Sequence, residues 1–158
     1  MQILGIDPSS TSVGWGVLTF AGEYVKSGEL KPPRTLPIQA KFRWIHKKIE
    51  AVLAGLDDEL IVAMETVFAP LGGKSVGGHR AALVLAQARG AILAALDFPQ
   101  HEVVDLAPST IKKWVGGHGH STKDQVRKMV EKTFDLEQLG TDEADALAMA
   151  LTILWKED

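Results

Sequence analysis

The sequence contains no cysteine. That excludes disulfides, thiolate metal sites and cysteine nucleophiles together, and it fits a reducing, cytoplasmic setting. Nor is there an apolar run suited to a membrane: the longest stretch, residues 81–96, is broken by Gln87, Arg89 and Gly90. Met1 leads straight into a strand-like segment, so no signal peptide is expected. Strong net charge is missing as well. The 17 Lys and Arg against 20 Asp and Glu leave −3, so any affinity for a polyanion must come from how charge is distributed. Internal repeats, long linkers and low-complexity tails are absent. What remains is an ordinary soluble composition, 46% hydrophobic and 23% charged over 158 residues, which predicts one domain spanning residues 1–158 with a sizeable core.

Residues 2–7, 12–20 and 23–30 read as successive strands, and the short Ala21-Gly22 connection makes the last two a hairpin within an antiparallel meander. The proline-rich segment 31–37 cannot join a ladder. Beyond it, Ile38, Phe42, Ile45, Ile49, Val52, Leu53 and Leu56 recur at helical spacing, with Lys41, Arg43, Lys47 and Lys48 off the stripe. Residues 60–65 form a continuous apolar run suited to a buried strand. The glycine-rich stretch 72–78 predicts a mobile loop, and 79–96 a helix apolar on nearly all sides. A strand at 101–106, a short helix at 108–115 and a glycine-rich loop at 116–120 follow, then helices at about 122–134 and 141–155. The order predicts an α/β fold with a mixed five-stranded sheet, three antiparallel strands then parallel ones, flanked by helices.

Four carboxylates stand where these elements end. Asp7 closes the first strand and Glu65 the fourth, while Asp142 and Asp145 are i,i+3 on one face of the last helix. Asp7 before Pro8 also suits a plain turn, and acids at a helix start are common for dipole reasons. Glu65 is the most telling, because ending an apolar strand with a carboxylate is costly without a compensating cation or donor. Taken together, four oxygen ligands from separate elements suit Mg²⁺ or Mn²⁺ rather than zinc. Two such ions about 4 Å apart would clamp a scissile phosphate.

Lys112, Lys113, Lys123, Arg127 and Lys128 surround the loop carrying His118 and His120. Each is individually a plausible solvated charge; as a group they suit a phosphate substrate. The two histidines in so glycine-rich a loop are poor metal ligands, and phosphate contact or no role fits better. Phe68, three residues past Glu65, could stack on a base or close the core. Gly72-Gly73-Lys74-Ser75 imitates the tail of a P-loop, but Phe68 occupies the position of its first glycine, so the match is rejected.

In this order the motifs resemble those of RuvC-type Holliday-junction resolvases, nucleases of RNase H-like fold. The resemblance rests on Gly5-Ile6-Asp7-Pro8, Gly14 and Gly16, Glu65-Thr66-Val67-Phe68, Gln87-Ala88-Arg89-Gly90, Ile111-Lys112, Thr122-Lys123 and Asp142-Glu143-Ala144-Asp145-Ala146-Leu147-Ala148. Ser9 replaces the glycine usual after Asp-Pro, and the loop after Phe68 carries extra glycines. The resemblance implies Asp7, Glu65, Asp142 and Asp145 as metal ligands for two Mg²⁺ or Mn²⁺ ions, with Lys112 and Lys123 facing substrate. It implies Phe68 stacking at the opened junction; Lys74, Arg80, Lys113 and Arg127 are further expected DNA contacts. It also implies a homodimer, with helix 79–96 as its surface, that nicks four-way DNA junctions symmetrically in recombination and repair. A branch-migration motor complex is a further implied partner. The alternatives are another RNase H-like nuclease acting on RNA or other branched substrates, and a non-catalytic junction-binding protein. An actin-like ATP-binding protein is disfavoured, because a second phosphate motif is missing.

Overall fold

The computed structural model describes residues 1–67 and 76–157. Five strands, β1 (Gln2–Asp7), β2 (Val13–Thr19), β3 (Tyr24–Leu30), β4 (Leu60–Glu65) and β5 (His101–Leu106), form one sheet in the order β3-β2-β1-β4-β5. β1, β2 and β3 are antiparallel neighbours, whereas β1–β4 and β4–β5 are parallel. This is the mixed sheet expected from the sequence.

Five helices cover it: α1 (Ile38–Leu53), α2 (Val76–Leu93), α3 (Pro108–Gly116), α4 (Lys123–Phe134) and α5 (Thr141–Glu157). Two limits differ from the sequence reading. Residues 76–78 are helical rather than loop, because two glycines weaken a helix without forbidding it once it is continued by the apolar turns that follow. α2 also stops at Leu93, three residues earlier than its apolar pattern. Residues 68–75 lie outside the described part, and the loop expected for 72–75 falls there.

The sheet separates two cores, and the period-2 alternation of β1 and β4 assigns their residues. Leu4, Ile6, Val62 and Met64 join Ile45, Ile49 and Ile92 beneath α1 and α2. Ile3 and Ala63 join Leu147, Val126 and Ile111 beneath α5, α4 and α3. Continuing the alternation places Gly5 and Asp7 on the α5 face of β1, and Glu65 on the α5 face of β4.

α5 lies directly against β1 and β2. A Cβ on Gly5 would run into the carbonyl oxygen of Ala146, and one on Gly14 into that of Asp142. Alanines 144, 146, 148 and 150 are buried along the contacting helix, so small residues meet on both sides. Gly14 pairs with Asp7 in the sheet. The first turn of α5 therefore passes over the end of β1. Gly14→Ala should destabilise the fold by about 2 kcal/mol through overpacking, read as a lower urea midpoint with unchanged slope. A wild-type midpoint would show that α5 is not seated against β2 as described.

Candidate active site

The carboxylates gather at one end of the sheet. The β1–β4 register ends with the Ile6–Met64 pair, and Asp7 and Glu65 are the next residue on each strand. Their parallel strands thus deliver two carboxylates side by side on the α5 face. α5 supplies Asp142 and Asp145, both partly buried, from the turn seated over Gly14.

The α5 start is fixed by groups that the sequence reading missed. The Glu29 carboxylate accepts a hydrogen bond from the Asp142 backbone N–H at 3.3 Å. Glu143 accepts from the Ser27 hydroxyl at 2.6 Å and from the Gly140 N–H at 3.3 Å. Two acids outside the four thus tie β3 to the helix N-terminus, where negative charge is also favoured by the dipole. Arg89 on α2 secures the other strand ends. Its guanidinium donates to the Glu65 carbonyl oxygen at 3.3 Å and forms an ion pair with Asp105. The signal for this role was legible, since an arginine within an apolar helix needs a partner.

Lys123 stands within the acidic group. A capping box between Thr122 and Gln125 starts α4 and makes Lys123 its first residue. A cation there opposes the helix dipole, and the compensation is a 2.6 Å ion pair to Asp145 Oδ2. This hydrogen bond, with the charges of Asp145, Asp7 and Glu65, holds the Lys123 ammonium above its usual range against the effect of burial. Glu65, Lys112, Lys123 and Asp145 line one small cleft floored by Ile111, Val126 and Met149. An adjoining hollow is bordered by Lys123, Arg127 and Asp145.

The electrostatics are those of buried acids. Burial first, then the negative charges of Asp145, Asp142 and Glu65, push the Asp7 carboxyl up to about 7, despite the opposing pull of Lys123. Burial also raises Glu65, with Asp145 adding to the effect and Lys123 and Lys112 working against it.

Other expected contacts are dispersed. Lys113 lies over its neighbour Trp114, 5.9 Å from the ring centre. Arg127 joins the site's border but is paired with Asp124 at 2.8 Å. Arg80 lines a separate open hollow with Pro8, Ser9 and Ser10 beside the β1–β2 turn. His118 and His120 stay exposed, and the His118 carbonyl accepts the Ser121 hydroxyl at 2.8 Å. Phe68 and Lys74 lie outside the described residues.

The Asp7 shift has a signed consequence. Its folded value is about 7 against an ordinary 3.8, so the folded chain holds a proton that the unfolded chain releases between these values. The stability of the metal-free protein should fall as pH rises through that window. Asp7→Asn should remove the effect, stabilising the protein at pH 8 by up to about 4 kcal/mol, with the gain shrinking towards pH 4. Urea titrations with chelator at both pH values measure it; a gain independent of pH contradicts the assignment.

Comparison with known proteins follows the same lines. The sequence profile of the crossover junction endodeoxyribonuclease RuvC family matches residues 3–153. A crossover junction endodeoxyribonuclease RuvC from Rhodopseudomonas palustris (strain BisA53) is 37% identical over 157 residues, covering 96% of this chain and 86% of the relative. The Thermus thermophilus RuvC structure superposes with a TM-score of 0.77 at 26% identity, covering 99% of this chain and 96% of the other. T. thermophilus RuvC in complex with Holliday junction substrate gives a TM-score of 0.79 at 26% identity, covering 99% and 94%. By sequence profile, curated relatives and fold, this chain belongs to the crossover junction endodeoxyribonuclease RuvC family.

Proposed function

We propose that this protein is a divalent-metal-dependent endodeoxyribonuclease that resolves four-way DNA junctions by paired, symmetric nicks in recombination and repair. The observation that carries this reading is the convergence of Asp7, Glu65, Asp142 and Asp145 at one end of the sheet in a chain of this family.

The residues fit a hard cation. All four donors are carboxylate oxygens, the chemistry Mg²⁺ or Mn²⁺ prefers, and burial raises the Asp7 and Glu65 carboxyls, a cost that a cation would offset. Among the described residues, no three His, Asp or Glu side chains already form an ion cage. Asp7, Glu65, Asp142 and Asp145 would hold the ions, and Asp145 would have to exchange its ion pair with Lys123 for a cation. Two ions held by the four carboxylates would polarise the scissile phosphate and ease deprotonation of the attacking water.

The remaining roles belong to the chain itself. Lys112 and Lys123, reaching into the same cleft, hold the phosphodiester oxygens and stabilise the charge that develops on them. Lys113, Arg127, Arg80 and Lys74 follow the backbone further out, and Phe68 stacks on an unpaired base at the crossover. A second copy docks through α2, whose Leu83 is 67% exposed, so that two sites face opposite strands. A branch-migration motor engages the assembled complex.

A synthetic four-way junction incubated with Mg²⁺ or Mn²⁺ should be nicked symmetrically. Asp7→Asn and Asp145→Asn should cut at least about 100-fold more slowly, the scale expected when groups acting on the reacting phosphate are lost, while junction binding is kept. Lys112→Ala should lose rate and show a salt dependence of binding shallower by about one phosphate contact. Preferential cutting of RNA–DNA hybrids would replace the proposal with an RNase reading. Tight junction binding without cutting by any divalent ion would make the protein a binding module.

A further inference from the structure

A second charge asymmetry starts beside the carboxylates and runs onto the other side of the sheet. Residues 31–48 contain six of the 17 basic residues and none of the 20 acidic ones. The rest of the chain is strongly acidic by comparison. Elsewhere four basic residues are held by acids among the described residues: Asp124 takes both Arg127 and Lys128, Asp145 takes Lys123 and Asp105 takes Arg89. Of the six lysines and arginines in 31–48, only Lys31 is in an ion pair among the described residues, with Glu29 at 2.5 Å, and His46 stands 3.4 Å from Glu50. The side chains of Arg34, Lys41, Arg43 and Lys47 make no ion pair among the described residues, and Lys48 sits over Trp44, 5.4 Å from the ring centre. Arg43 and Lys47 are like charges at i,i+4, an arrangement a helix does not favour for its own sake.

Placement gives this segment a partner. Leu30, the last residue of β3, pairs with Val13, and the next residue of β2, Gly14, pairs with Asp7. Segment 31–37 therefore leaves the sheet at the carboxylate end, and the ammonium of Lys31 feels the charge of Asp142. α1 then runs back along the sheet. Its Ile45 and Ile49 face the core, and His46 reaches the Ala91 carbonyl oxygen of α2 at 3.0 Å. On a 100° helical wheel, Lys41, Lys48, Trp44 and Lys47 sweep the arc away from His46 and α2, and Arg43 stands at its edge beside Glu50. A copy docked on α2 would leave that arc uncovered.

We infer that the unpaired cations of the 31–37 segment and α1 form a strip that tracks the phosphate backbone of a junction arm leaving the carboxylate site, on the opposite side of the sheet from Lys112 and Lys123. This rests on the proposed junction-cutting function and adds to it a second, non-catalytic contact with the duplex. From Lys41 to Lys48 the helix advances about 10 Å. One strand of duplex offers about three phosphates over that length. Trp44 gives the strip an apolar plane over which Lys48 lies.

The test is the salt dependence of junction binding, measured without divalent ions so that nothing is cut. Replacing Lys41, Arg43, Lys47 and Lys48 by Gln should lower the slope of log K against log salt by about two to three, at roughly 0.9 per phosphate contact. Binding at low salt should weaken by at least tenfold. Lys132→Gln/Lys156→Gln, on other helices, should change the slope by less than half as much, and thermal melts should show both variants folded. With metal restored, the four-site variant at saturating protein should keep its single-turnover cutting rate. A folded four-site variant with the wild-type slope overturns the strip and leaves the junction-cutting function standing, provided wild type binds and cuts junctions. Wild-type protein that neither prefers nor cuts junctions overturns both.

Discussion

The close seating of α5 on β1 and β2 is the constraint on which the rest depends. A helix normally stands off a sheet by the length of its side chains. Here Gly5 and Gly14 offer no side chain, and Ala144 and Ala146 answer with little more. The first turn of α5 can therefore pass over the end of β1. Two carboxylates 135 or more residues away in sequence then come near enough for their charges to act on Asp7. Glu65 arrives by a separate route, through the parallel pairing of β4 with β1.

That gathering costs stability, and the surrounding structure is arranged to sustain it. Asp7 is largely desolvated among like charges, which is why its carboxyl rises so far. Glu29 and Glu143 hold the start of α5 through backbone and hydroxyl hydrogen bonds. Arg89 ties the ends of β4 and β5 together. Lys123, made the first residue of α4 by its capping box, lends the cluster one positive charge. The acids repel one another, yet the scaffold leaves them little freedom to separate. A site of this kind is stable in its surroundings and unsatisfied in its charge, the condition that favours cation uptake.

Much of this was legible before any coordinates, because the signals were local. Apolar strands with terminal acids, an i,i+3 pair and a proline-rich break each state their own structure, and Glu65 at the end of Leu60–Met64 stood out on energetic grounds alone. The mix of antiparallel and parallel strands also followed from short connections first and helical crossovers later. What escaped were long-range partnerships. Glu29 reads as an ordinary polar residue of an edge strand until β3 is laid beside the α5 terminus. Lys123 was singled out as facing substrate, but its ion pair with Asp145 appears only in the fold. The cations of α1 were visible as an off-stripe face, but their lack of acidic partners is a property of the folded surface. The helix at 76–78 was missed because glycine content was given more weight than continuity with the apolar turns that follow.

The central claim is that the four carboxylates form one cation site rather than four separate acids. Thermal melting at pH 8 with increasing Mn²⁺ addresses it without reference to any reaction, since an ion that binds only the folded chain stabilises it by mass action. The wild-type midpoint should climb with Mn²⁺ concentration, and Glu65→Gln or Asp145→Asn should each blunt the climb markedly, because each removes a ligand from the same site. A midpoint indifferent to Mn²⁺, or a climb that both variants retain in full, would contradict it.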